Sequence, residues 1–322
     1  MGVLARIFEA LAWLGRHGTR AIALSLLVGL LVPPLATLLK PTFTAAIFVL
    51  MVLAFLRVDP AALRKEFARP RIVLAALVWI MIAIPLLLGF AFVWLGIGQI
   101  GDGILLGLIL QAAAPPVLSS TAVSAILGLD TTASLAVLIA TTAATPLTAP
   151  FLVALFADSD LSIDPVALGL RLAAFLGGAF MVAFVLHRQL GKETIEARSA
   201  EIDGGSVIML IVFGIALMDG VTYRALADPG LVFGLTLLAF VLALGIYGIT
   251  ALAFRPAGPE RALALGFSAA HRNMGVMLAV AGSAAPELTW LYFAAAQFPI
   301  YLVPLLLSPL IHRILAARLP RG

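Results

Sequence analysis

Long apolar stretches, separated by short polar segments, make up most of this 322-residue chain. A stretch of about 20 apolar residues is long enough to cross the hydrocarbon core of a bilayer as a helix. The pattern predicts ten transmembrane helices, at residues 21–39, 41–56, 72–98, 103–127, 131–156, 165–187, 204–222, 230–254, 261–284 and 287–312. The predicted fold class is therefore an all-α polytopic membrane protein.

Composition agrees with a membrane protein and excludes several other classes. Apolar residues make up 63% of the chain, charged residues only 11%, and the mean hydropathy is +1.15. A net charge of +4 could indicate nucleic-acid binding, but the basic residues lie between the apolar stretches, so we expect a lipid bilayer and no nucleic acid as partner. The absence of cysteine excludes disulfides, thiolate metal sites and cysteine nucleophiles.

The distribution of charge predicts the orientation. If both termini are cytoplasmic, sixteen of the twenty basic residues fall in cytoplasmic segments, whereas the external segments hold only Lys40 and Arg224 together with the acidic run Asp158, Asp160 and Asp164. Cytoplasmic loops of membrane proteins carry such an excess of Lys and Arg. We expect an inner (plasma) membrane protein with residues 1–20 as a cytoplasmic or interfacial N-terminus and no cleaved signal peptide.

Two of the predicted helices contain a backbone break at mid-bilayer depth. Pro115-Pro116 interrupts the fourth helix, and the polar triplet His271-Arg272-Asn273 interrupts the ninth. Irregular backbone at that depth is tolerated only where protein buries it or where it lines a watery cavity. A pair of interrupted helices at matching positions is the best sequence indication of a secondary transporter's binding site.

The positions of the breaks predict an internal repeat. A division at Asp158 to Pro165 leaves five helices on each side, so that residues 21–157 and 158–314 form two five-helix halves. Because five is odd, the second half crosses the membrane in the opposite sense. The breaks fall about 12 and 11 residues into their helices, which is the layout of a 5+5 inverted repeat with broken helices 4 and 9.

Polar side chains at the breaks are candidates for binding. Ser119, Ser120, Thr121 and Ser124 follow the first break and could ligate an ion or substrate, although Ser and Thr also bond to their own helix or to neighbouring helices. Thr141, Thr142 and Thr145 fit helix packing better.

The second break holds three polar residues, each with two interpretations. Arg272 could bind an anionic group through its planar fork of donors, or it could be a structural cation that satisfies carbonyls opened by the break. His271 could carry a proton or be hydrogen-bonded structurally, and Asn273 could be a ligand or a helix N-cap.

An enzyme is not expected. The four histidines, at positions 17, 187, 271 and 312, form no His-Glu-x-x-His motif, and no pair of Asp residues lies at mid-membrane depth. A passive channel remains open, because channels also contain broken helices. The sequence predicts a carrier of small organic anions, as a monomer or weak dimer, with no cofactor apart from a coupling ion.

Several motifs resemble the bile acid:sodium symporter family. They are Ala114 to Thr121, Leu127 to Asp130, and Thr141 to Pro146 with Pro150, together with the segment from Ala262 to Gly275. The resemblance implies a core domain of helices 3–5 and 8–10 with broken helices that cross at its centre. It also implies a panel domain of helices 1, 2, 6 and 7, and organic anions that move with sodium. Arsenite permeases of the same superfamily need a membrane cysteine, which this chain lacks.

Under this resemblance, the sodium ligands are only partly kept. The family's Ser-Asn pair corresponds to Ser120 and Thr121, and one sodium-ligand serine matches Ser134. Four other ligand positions are lost: a third-helix glutamine of the family falls on Ile80, a threonine on Leu138, an acidic ligand on Ser268 and a glutamine on Arg272. A fixed guanidinium repels a sodium ion at low dielectric. The resulting hypothesis is that Arg272 stands in for one bound cation and that at most one sodium site is left, at Ser120, Thr121 and Ser134. Arg272, His271, Asn273, Ser119 and Thr121 are the predicted substrate-binding residues.

Overall fold

The computed structural model describes Glu9, Leu11, Trp13 and residues 24–58, 70–156 and 163–316. The rest of the predicted N-terminal segment 1–20 lies outside the described residues, as do most of the second loop and the acidic residues Asp158 and Asp160. Within the described part, the regular elements are helices. This agrees with the predicted all-α class.

The described residues between positions 24 and 316 form sixteen α-helices. In chain order they are residues 24–31 (α1), Pro33–Leu39 (α2), Phe43–Leu56 (α3), Pro70–Val78 (α4), Ile84–Trp94 (α5), Asp102–Ala113 (α6), Ser120–Ile126 (α7), Thr131–Phe156 (α8), Pro165–Leu190 (α9), Lys192–Ala197 (α10), Ser199–Leu217 (α11), Val221–Ala227 (α12), Pro229–Ala253 (α13), Pro259–Ala270 (α14), Met274–Ala281 (α15) and Glu287–Ala316 (α16). A π-helical segment, Trp79–Ala83, joins α4 to α5.

The predicted boundary between the first two spans is wrong. The helix breaks at Val32, before Pro33-Pro34, and Pro33–Leu56 then run as one 24-residue candidate span. Pro41 does not end this span, because it lies in the first turn of a short 3₁₀ segment, Lys40–Thr42, where its missing amide is not needed. Lys40 therefore lies within the span rather than in an external loop, and its ammonium pairs with Asp219 at 2.8 Å.

Seven helices in the described part are long and apolar enough to cross a membrane. Three predicted spans are not among them. The first is described only from residue 24, and the fourth and ninth are each divided into two shorter helices. The chain is a multi-pass membrane protein, and the total of ten helices stays a prediction.

The chain divides into two compact units. One is formed by the described residues of Met1–Val58 and Arg171–Pro229. In this unit α2 and α3 pack against α11, with Phe43 against Phe213 at a centroid distance of 5.4 Å. Asp219 also accepts a hydrogen bond from the Thr37 hydroxyl at 2.6 Å.

The other unit is formed by the described residues of Asp59–Leu170 and Gly230–Gly322. Its core is an apolar cluster to which α4, the π segment, α8, α13 and α14 all contribute, with members such as Ile80, Val137 and Phe267. Both interrupted helices belong to this unit, and α8 packs against both segments of the first one, α6 and α7, and against α14. The candidate site therefore lies within one unit.

Two contacts in this unit join the segment just after each interrupted helix to the start of the other interrupted helix. Asp130, just before α8, pairs with Arg261 at the start of α14, with an N–O distance of 2.7 Å. At the start of α16, the Thr289 hydroxyl donates to the Gly103 carbonyl at the start of α6, also at 2.7 Å. The two contacts are reciprocal, because in each of them a residue that follows one interrupted helix binds the start of the interrupted helix in the other half of the chain.

We predict that Gly266→Ala destabilises this unit. A Cβ at position 266 on α14 would lie 2.9 Å from the backbone oxygen of Tyr247 on α13, so the two helices would have to separate. Overpacking of this kind costs about 1–3 kcal/mol. Thermal unfolding in detergent measures the effect. Gly248→Ala on α13 is the matched control, since its Cβ would meet nothing within 4 Å. Equal melting temperatures for the two variants would contradict the prediction.

Candidate functional site at two helix breaks

Both predicted interruptions are present. Helix α6 ends at Ala113, Ala114 is extended with φ −68° and ψ 150°, and α7 begins only at Ser120. Helix α14 ends at Ala270, and His271 is extended with φ −103° and ψ 101°. The proline pair explains the first break, because it removes two amide donors and disfavours helical backbone at the residue before it.

The two breaks bind each other through the backbone. The Val117 amide donates to the His271 carbonyl at 2.8 Å, and the Asn273 amide donates to the Pro115 carbonyl at 2.7 Å. Pro116 and Arg272 thereby form an isolated antiparallel bridge. Buried backbone groups without partners are costly, so each break supplies the partners that the other needs.

Arg272 lies at the centre of this arrangement and is 2% exposed. Its guanidinium donates three hydrogen bonds to backbone carbonyls: Nε to Ala269 at 2.6 Å, Nη1 to Ala114 at 2.9 Å and Nη2 to Ile80 at 2.9 Å. We call these three oxygens the carbonyl cage. None of the ion pairs among the described residues involves Arg272. The geometry matches the structural-cation interpretation of this arginine.

Each carbonyl of the cage is available for a definite local reason. Ala114 and Ala269 lie at or near the last turns of α6 and α14, where carbonyls lack helical donors and carry partial negative charge. Ile80 lies in the π segment, in which the Ile84 amide donates to the Trp79 carbonyl, five residues back. The next such donor would be residue 85, but Pro85 has no amide hydrogen, so the Ile80 oxygen is left for Arg272.

Hydroxyl groups at the first break have no such partners. The side-chain oxygens of Ser120, Thr121 and Ser124 are buried and make no hydrogen bond to any described residue. We call these three residues the hydroxyl cluster. Nearby along the packed helices, the Oγ atoms of Ser134 on α8 and Ser268 on α14 lie 3.2 Å apart and share a hydrogen bond. Buried oxygens of this kind can bind an ion, a water or a ligand.

The other predicted site residues have different surroundings. Ser119 is exposed and its side chain makes no capping bond to α7. Asn273 is the N-cap of α15 and accepts from the Val276 amide at 3.4 Å. His271 is fully buried, stacks on Phe267 with ring centroids 4.0 Å apart, and places Nδ1 3.1 Å from the Phe267 carbonyl oxygen.

The threonines of α8 bond to their own helix. Thr142 donates to the Leu138 carbonyl and Thr145 to the Thr141 carbonyl, at 2.6 Å and 2.8 Å. Thr141 likewise donates to Val137 and Leu138. The packing interpretation of these residues fits the structure.

The structure thus brings Arg272 and Ile80 together and joins Ser134 to Ser268. Sequence reasoning named Ile80 as a lost side-chain ligand and missed the role of its carbonyl. The signal that could have found it was Pro85 inside an apolar run, since a helix-interior proline strands an upstream carbonyl.

Apolar spanning helices with two mutually bonded breaks at their centre define a multi-pass membrane protein of the transporter class. Residues 44–219 match the sodium bile acid symporter family, and the chain belongs to that family. Its members are transporters. The match includes the first break and ends before the second. No curated protein sequence matches the chain.

Proposed function

We propose that the protein is a secondary active carrier of small organic anions in which the guanidinium of Arg272 replaces one coupling sodium ion. The carbonyl cage carries this proposal. Carbonyl oxygens at half-helix C-termini coordinate Na⁺ in other broken-helix transporters. Here two such oxygens, of Ala269 and Ala114, together with the Ile80 oxygen of the π segment, hold a covalently attached cation instead.

A replaced site changes the energetics of the remaining one. Ser120, Thr121 and Ser134 could still hold one sodium ion, but position 268 offers a hydroxyl and not a carboxylate. Two unit charges about 4 Å apart repel by about 4 kcal/mol at an effective dielectric constant of about 20. That is roughly a thousandfold loss of affinity for a cation next to the guanidinium. At most one weak sodium site is therefore proposed.

The substrate's anionic group is proposed to bind where helices begin rather than where they end. The N-terminus of α15, capped by Asn273, carries a partial positive charge that favours an anion. Ser119, the N-cap of α7, and Thr121 on α7 offer hydroxyls beside the same crossing point. Arg272 adds a full positive charge nearby, although its fork is occupied by the carbonyl cage. His271 lines the break, and its buried Nε2 has no hydrogen-bond partner among the described residues.

The proposed mechanism is alternating access by an inverted repeat. The first segments of the two broken helices, α6 and α14, both have 12 residues. The Asp130–Arg261 and Thr289–Gly103 contacts connect the two halves in a reciprocal way. The two compact units contain the helices expected for a panel domain and a core domain. We propose that the core carries the site, and that the protein lies in the plasma membrane with both termini cytoplasmic.

Sodium replacement tests the proposal. Uptake of a labelled organic anion is expected to persist when choline replaces sodium in the medium, because the guanidinium already occupies one cation position. Any stimulation by sodium should follow a Hill coefficient no greater than one. A steep sodium requirement with cooperativity near two would show that both ion sites are intact and would contradict the proposal.

The second candidate is an anion carrier of the same fold that is coupled to protons through His271. Its uncoupled form is a carrier or channel through which anions flow without a coupling ion. The observation in its favour is that His271 is a fully buried titratable group directly beside Arg272. If His271 carries the proton, His271→Gln should flatten the dependence of uptake on pH. The same pH profile in wild type and variant would remove this coupling. Counterflow of labelled anion separates a carrier from a channel.

A further inference from the structure

The cation at the centre of the core cannot dissociate. A coupling sodium ion leaves on the far side of the membrane with the substrate, so the empty core of a symporter returns without it. Arg272 is part of the chain, is 2% exposed and is fixed by three carbonyls from three different segments. Its charge therefore stays in the core in every step of a transport cycle.

The negative partners of this charge are only partial charges. The ends of α6 and α14 contribute the partial negative charge of a helix C-terminus, through Ala114 and Ala269. At the same crossing point, α15 begins and contributes partial positive charge. The described residues place no carboxylate in an ion pair with Arg272. The empty core thus has an excess of about one positive charge that a monovalent anion would balance.

The hydroxyl cluster is a second, independent observation that fits a bound anion. Ser120 and Thr121 also belong to the proposed weak sodium site, and the sodium and choline media of the test below separate the two roles. Ser120 and Ser124 are fully buried, and their oxygens and that of Thr121 have no partner among the described residues. A hydroxyl can donate to a carboxylate or sulfonate oxygen, which only accepts. An anion at the break would therefore satisfy these donors and balance the charge at the same time. Without it, the occluded core would enclose both an excess charge and unsatisfied polar groups.

We infer that the protein is an obligatory anion exchanger, in which the core crosses between its two access states only when it carries an organic anion. This inference rests on the proposed transport function and specifies its mode. One monovalent anion enters for each one that leaves, so no net charge moves and no sodium gradient is consumed. The empty core is expected to reorient roughly 100-fold more slowly than the loaded core, the penalty for an unpaired arginine charge in a bilayer interior.

Exchange and net uptake are distinguished in liposomes that contain the full-length protein. The labelled probes are pyruvate, cholate and taurocholate, which represent keto acids, steroid acids and sulfonates. Each probe is offered outside liposomes loaded with the same unlabelled anion or with buffered sucrose. For at least one probe, uptake should be at least about tenfold faster into the anion-loaded liposomes, in sodium medium and in choline medium alike.

Other outcomes overturn the inference in identifiable ways. Equal rates into both kinds of liposome would show uniport, and sodium-driven uptake into sucrose-loaded liposomes would show symport; each would leave the proposed anion transport standing. No uptake of any probe under either condition would contradict the proposed function together with the inference. A potassium diffusion potential set with valinomycin gives a second readout. A one-for-one exchange of monovalent anions should change less than about twofold with potential, because no net charge crosses the membrane, and a larger change would overturn it.

The variant Arg272→Gln tests the cause, because its amide can still donate to the carbonyl cage and, unlike Arg272→Ala, it is expected to keep measurable uptake. Without the fixed charge, the empty core should reorient more easily, so the ratio of uptake into anion-loaded and sucrose-loaded liposomes should fall towards one. Arg171→Gln is the matched control, because Arg171 is exposed on α9 and its removal should leave the ratio unchanged. An unchanged high ratio in a folded Arg272→Gln protein would show that the exchange has another origin. If that variant does not fold, the potential measurement on the wild-type protein decides.

Discussion

Arg272→Ala is expected to abolish anion uptake and to lower the stability of the unit that contains the site. The substitution removes the fixed charge and leaves three buried carbonyls, of Ile80, Ala114 and Ala269, without a donor. Each stranded acceptor costs about 1–3 kcal/mol. Uptake should fall by more than about 100-fold, and the melting temperature of the purified protein should drop clearly.

Two further variants separate charge from geometry. Arg272→Lys keeps the charge, but a compact ammonium cannot reach three oxygens that match a planar fork, so partial uptake is expected. Arg171→Ala removes an exposed arginine and should behave as wild type. Normal uptake by the alanine variant at position 272 would show that the carbonyl cage needs no cation, and the proposed replacement of sodium would fail.

Rebuilding the sodium ligands is expected to make uptake sodium-dependent. The triple variant Ile80→Gln, Ser268→Glu and Arg272→Gln restores the side chains that the family resemblance assigns to these positions. It removes the charge that repels sodium and adds a carboxylate next to Ser134, which now bonds to Ser268. The gain from removing the repulsion alone is about 4 kcal/mol at 4 Å. Sodium should then stimulate uptake at least about tenfold.

The single variant Arg272→Gln is the control for this reconstruction. It lacks the carboxylate, so it should show little stimulation by sodium. The measurement is initial uptake of labelled anion at increasing sodium concentration. If the triple variant transports anions equally well with and without sodium, position 272 does not coincide with an ion site and the carry-over from the family is wrong.

Much of the fold could be predicted from local sequence. Apolar length placed most of the spanning helices, and α8 begins and ends at the predicted residues. The boundary between the first two spans was misplaced, because Lys40-Pro41 has the polarity of a loop. The chain instead tolerates this pair within a span, since Pro41 falls at a 3₁₀ turn and Asp219, 179 residues away in sequence, neutralises Lys40. Such a long-range pairing leaves no local signal.

The candidate site was also predictable only in part. Pro115-Pro116 and the triplet from His271 to Asn273 predicted the two breaks, because their effect on a helix is local. Sequence left two interpretations of Arg272 open, because its partners are backbone oxygens, and every residue has one. No residue type identifies a free carbonyl. The π segment that frees Ile80 depends on how α4 and α5 join and was not foreseen.

The sequence by itself determined that the chain is a helical membrane protein, that two of its helices are interrupted and that an arginine lies at one interruption. These properties depend on hydrophobic length and on proline, both of which act locally. Only the tertiary structure decided what the guanidinium binds and which hydroxyls stay unpartnered. Those facts depend on the meeting of α6, α14 and the π segment, which lie far apart in the chain and are brought together by packing.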